Sequence, residues 1–132
     1  LFNKSKDLIL KILDSKTRDE IVNSVEACFV KEFKVDKCCM KFFKGKQLDD
    51  IENTIGLSFH KGAIYCGSLS AEKTVTLFND HKIESMVVAV LVLKNEICLL
   101  MLGSFERTKY LGDEDTTFIE YIRDVLEKKL TQ

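Results

Sequence analysis

Two stretches near the C-terminal end, Met86–Leu93 (MVVAVLVL) and Ile97–Leu102 (ICLLML), carry no charged side chain and are separated only by Lys94-Asn95-Glu96. They read as two strands of an antiparallel hairpin joined by a tight turn. A hairpin with one wet face alternates apolar and polar residues, and this one does not. Both of its faces must therefore be covered, by helices or folded loops on each side of the sheet. That requirement restricts the chain to layered mixtures of helix and strand.

The flanking sequence supplies the covers. Leu1–Leu13 places Phe2, Leu8, Ile9, Ile12 and Leu13 on one helical face. Thr17-Arg18-Asp19-Glu20 is a capping box opening a second helix, whose stripe is Ile21, Val22, Val25, Phe29 and Phe33. Lys37–Phe43 alternates, with Cys38, Met40 and Phe42 on one face and Cys39, Lys41 and Phe43 on the other, as expected near a sheet edge. Leu48, Ile51 and Ile55 have helical spacing, and Gly56 suits a C-terminal cap. Ala63–Tyr65 is a short apolar piece. Ser70 opens a further helix, read with Ala71, Val75 and Phe78 on one face and Leu77 flanking it, and Asn79-Asp80-His81 closes it. The last helix has Asp113, Glu114 and Asp115 at its start and Lys128 and Lys129 at its end, matching the helix dipole. Its stripe is Phe118, Ile119, Ile122, Val125, Leu126 and Leu130. The fold class expected is α/β (α+β): three layers, with a central antiparallel sheet and helices on both faces.

Composition excludes more than it assigns. The 132 residues are expected to form a single domain over 1–132, with an apolar fraction of 45% and a net charge of -1. That balance gives no electrostatic case for nucleic acid or an anionic membrane, and no apolar run approaches the roughly 18 residues of a bilayer span. Five cysteines (Cys28, Cys38, Cys39, Cys66, Cys98) cannot all pair internally. With no CxxC and two histidines no zinc spacing can be assembled, so no metal is expected. Reduced thiols in the cytoplasm are the expectation. His60 and His81 lack an Asp or Ser partner at catalytic spacing, and Asp49, Asp50 and Glu52 read as a solvated helix start.

The pieces YCGSLSAEKTVTLFND, IESMVVAVLVL, CLLMLGS and FIEYI resemble an uncharacterised bacterial GAF-like family, domain of unknown function 484. The residues that carry the likeness are Tyr65, Cys66, Gly67, Leu69, Leu77, Phe78, Ser85, Gly103, Ser104, Tyr110 and Phe118. The chain departs from the family pattern at Ser68, where Pro is usual, and at Phe105-Glu106-Arg107, in place of Arg-Asp-Pro. It departs again at Asp113 and Asp115, in place of glycines. Members carry an upstream helical segment, so the chain is expected to be a fragment of a longer protein. The resemblance implies a GAF-like domain without implying a reaction.

On that basis the leading expectation is a non-catalytic sensory or regulatory module that binds a small molecule or signals through paired helices. Its ligand-binding residues would be Phe59, Tyr65, Cys66, Ser68, Phe78, Ser85 and Ser104, with the ligand itself unknown. Native mass spectrometry of freshly purified protein would reveal such a ligand, or its absence. A homodimer through the N-terminal helix, joined by the closing helix, is the expected assembly. One alternative is a cysteine-based redox enzyme of the methionine sulfoxide reductase GAF type using Cys66. Those enzymes carry further cysteines after the Cys-Gly turn, and here none lies between Cys66 and Cys98. An ordinary Cys66 thiol with no reductase turnover would remove that alternative. The other is a ligand-free interaction scaffold, in which the same aromatics fill the cavity.

Overall fold

The computed structural model describes residues 2–68, 70–110 and 116–132. In order, its elements are α1 (Phe2–Asp14), α2 (Arg18–Lys31), β1 (Lys37–Phe43), α3 (Lys46–Ile55) and β2 (Ile64–Gly67). They continue with α4 (Ala71–Phe78), β3 (Ser85–Val92), β4 (Ile97–Ser104) and α5 (Thr117–Leu130). Among the described residues the strands form one sheet in the order β1-β4-β3-β2, antiparallel throughout. The apolar hairpin is its centre, and the turn closes through Leu93 N–H donating to Glu96 O at 2.9 Å. Seven of the eight β3 residues and all eight of β4 are buried, so neither face is wet.

Alternation along the strands divides the interior into two cores. On one face Val87, Ala89, Leu91, Cys98, Leu100 and Leu102 lie under α1, α2 and α5, which contribute Leu8, Ile12, Val25, Phe29, Ile122 and Leu126. The rings of Phe29, Phe33 and Phe118 join α2 to α5, with centroids 4.9–6.2 Å apart, a spacing at which tilted aromatic pairs attract. On the other face Met86, Val88, Val90, Leu99 and Met101 are covered by Ile55 of α3, Leu77 and Phe78 of α4, and the connecting residues Phe59, Ala63 and Ile83. Three layers result, as the uncharged hairpin requires.

Local signals act much as the sequence indicates. Thr17 Oγ1 accepts from the Glu20 amide at 3.2 Å; the Glu20 carboxylate reaches one residue further back than the motif implies and takes the Lys16 amide at 2.7 Å. Gly56 adopts φ +78° and its N–H donates to Glu52 O, closing α3. β1 is an edge strand, and Glu26 of α2 accepts from the Met40 amide at 3.1 Å along its outer side.

Four readings need correction. In α4 the buried side chains are Thr74, Leu77 and Phe78, while Ala71 and Val75 are exposed. Thr74 can be buried because its hydroxyl donates to Ala71 O at 3.0 Å within the helix. In α1, Leu8 and Ile12 are fully buried and Ile9 partly, but Leu13 points outward. The second helix stops at Lys31, and Phe33 packs from the segment after it. Cys66 and Gly67 belong to strand β2 rather than to a turn. Asp113, Glu114 and Asp115 lie outside the described residues, as does Leu69. Lys129 donates to Leu13 O at 3.0 Å, tying α5 to the end of α1.

Candidate functional site

The seven residues expected to line a pocket fall into four places. Phe59 and Phe78 are buried in the core under α3 and α4, and Tyr65 packs against the same core with its hydroxyl donating to Ser58 O. These aromatics fill that layer with side chains. Cys66, one residue on in β2, faces the opposite core. Ser68 follows the strand and is exposed.

Ser85 and Ser104 are cross-strand partners at the end of the central pair, both buried. Ser85 Oγ donates to Glu106 O at 2.6 Å and accepts from the Tyr110 amide at 3.3 Å. Ser104 Oγ accepts from the Glu106 amide at 3.0 Å and donates to Asp36 Oδ2 at 3.4 Å. The same carboxylate takes the Phe105 amide at 2.9 Å. Between them the two hydroxyls fold residues 105–110 back over the sheet end, so each has a structural task.

Four of the five thiols have their pKa raised by their surroundings. Burial pushes the thiols of Cys38 and Cys98 far up, and those of Cys28 and Cys39 up as well. A protonated thiol is a poor nucleophile. Glu52, expected to be simply solvated, accepts from the Phe59 amide at 2.7 Å and anchors the chain that covers the sheet. His60 and His81 are exposed. Among the described residues no group of three His, Cys, Asp or Glu side chains could hold a metal ion, and no helix is long and apolar enough to cross a membrane.

An apolar cleft of about 320 Å³ lies between α1 and α5, lined by Ser5, Lys6, Ile9, Leu10, Phe118 and Tyr121. Around it Leu10, Leu13 and Tyr121 are 52, 54 and 54% exposed. Amphipathicity hides Leu10 and Tyr121 in the sequence. Each sits beside its helix's buried stripe, and an isolated apolar residue on a polar face is common. The available signal was geometric: Leu10 and Leu13 lie three residues apart, one turn of the same exposed flank. The arrangement presents apolar side chains of both helices to one cleft.

The sequence profile of the family described as "Protein of unknown function, DUF484" matches residues 1–132. No curated protein matches the chain. The match runs from the cleft-forming helix α1 through the hairpin to the end of α5, and on that extent the chain belongs to the DUF484 family.

Proposed function

We propose that this chain is a non-catalytic, cytoplasmic regulatory module of GAF-like, bacterial type that signals as a homodimer through α1 and α5. The observation that carries the reading is the group Leu10, Leu13 and Tyr121 beside an apolar cleft, on the two helices at the ends of the described chain. A second copy suits this surface because the cleft rim carries Lys6 on α1, while α5 presents the 66%-exposed Asp124 one turn from Tyr121. A two-fold axis brings α1 of one copy against α5 of the other, placing these opposite charges across the interface.

Covering the exposed half of three such side chains on each of two copies contributes roughly 5–9 kcal/mol. Association costs at least about 4 kcal/mol. The dimer is therefore weak and tunable, which suits a switch.

Sedimentation across a concentration series tests this. The expected result is a reversible monomer–dimer equilibrium that Leu10→Glu with Tyr121→Glu abolishes while the circular dichroism spectrum is kept. A wild-type chain that stays monomeric to millimolar concentration would overturn the proposal. The small-molecule reading is tested separately by native mass spectrometry, where a bound species of fixed mass supports a ligand and the bare chain mass removes it.

A further inference from the structure

We infer that α5 clamps the entry to edge strand β2, so that a displacement of α5 on one sheet face is transmitted to the packing of the other. The inference does not rest on the dimer: it concerns contacts within a single chain.

Arg123 is buried in the layer of α5, only 7% accessible, and its carboxylate partner among the described residues is the exposed Asp124. Its Nη1 donates to the carbonyl of Gly62 at 3.2 Å, and its Nε to the exposed Asp124 at 3.1 Å. One turn further along, Glu127 accepts from the Val92 amide at 2.8 Å and lies 3.4 Å from Lys61 Nζ. Two consecutive turns of α5 thus hold residues 61–62 and the end of β3.

From there the contacts cross to the opposite face. Ala63 donates to His60 O and accepts from the Val90 amide, both at 3.0 Å, and Ala63 and Phe59 belong to the core under α3 and α4. The Phe59 amide in turn donates to Glu52 of α3. A buried guanidinium that loses its hydrogen bonds pays its full desolvation cost. Moving α5 alone is therefore unfavourable, and residues 60–63 move with it, carrying Phe59. Such coupling is reciprocal: disturbing the loop must loosen α5.

Residue-resolved hydrogen exchange on the full chain tests the clamp from both ends. Arg123→Met keeps the aliphatic stem and removes the guanidinium. Exchange at the Phe59, Ala63 and Val90 amides should accelerate at least tenfold while Met40, bonded to Glu26 on the far edge, is unchanged. Uniform acceleration, or acceleration confined to α5, overturns the inference. Gly62→Ala approaches from the loop, since φ +80° strains any residue with a Cβ. It should accelerate exchange in α5 around residues 123–127 and leave α2 alone. An unchanged α5 overturns the clamp, and this variant alone decides if Arg123→Met does not fold.

Discussion

Gly103 is required for space rather than for backbone freedom. A Cβ built there would lie 2.7 Å from Ile83 Cδ1 and 3.1 Å from Phe78 Cε1. Both neighbours are buried in the core under α4, so neither can swing away. Gly103→Ala should destabilise the fold by roughly 1–3 kcal/mol, the usual cost of overpacking, read as a lower urea midpoint. The buried thiols make a second residue-scale prediction. In Cys38 and Cys98 burial raises the folded pKa above the unfolded value near 9. Their contribution is complete below pH 9 and is lost as pH rises above it, because the unfolded chain then releases protons that the folded chain retains. Stability should fall above pH 9 by about 1.4 kcal/mol per pH unit for each thiol, and Cys38→Ala should flatten the slope. An identical slope in that variant would show that other groups cause the decline. A glycine at the end of an apolar strand is compatible with either a close approach or a bulge, and the contacts at Gly103 are those of a close approach. The partners of Arg123 were not legible in the sequence, since the carbonyl it meets lies sixty-one residues away.

Among the elements, the edges of the sheet show how local pattern and tertiary contact divide the work. The mixed second face of β1 marked it as an edge, and Lys41 interrupts that face. An unpaired strand edge invites other strands, and inward or flanking charges discourage them. Glu26 does so here by occupying the Met40 amide from α2. Glu26→Ala should cost about 1–3 kcal/mol for the amide left without its partner. It should also raise the tendency to aggregate, measured by light scattering on mild heating; unchanged scattering would mean the lysines suffice. Capped elements were the most legible: Thr17 opens α2 and Gly56 closes α3 as their chemistry requires. The face of α4 was not, because Thr74 looks polar in sequence and is buried only once its hydroxyl is satisfied inside the helix.

For the molecule as a whole, the uncharged hairpin dictated three layers, and the structure has them. The candidate site was far less legible. Tyr65 and Cys66 are neighbours in sequence yet pack in opposite cores because a strand alternates its side chains, and Ser68 lies past the end of that strand and is exposed. The cleft between α1 and α5 joins residues more than a hundred positions apart, and no local pattern announces such a meeting. The doubly buried hairpin also has a consequence in time. A chain made from its N-terminus completes residues 85–104 before α5 exists, so Val87, Leu100 and Leu102 wait without the cover of Ile122 and Leu126. During that interval the nascent chain carries its most adhesive surface with one of its three covering helices absent. A chain ending at residue 116 should reproduce that moment, precipitating or binding a hydrophobic dye where the 132-residue chain does not. The fourteen residues of α5 thus cover that surface and end its most vulnerable period.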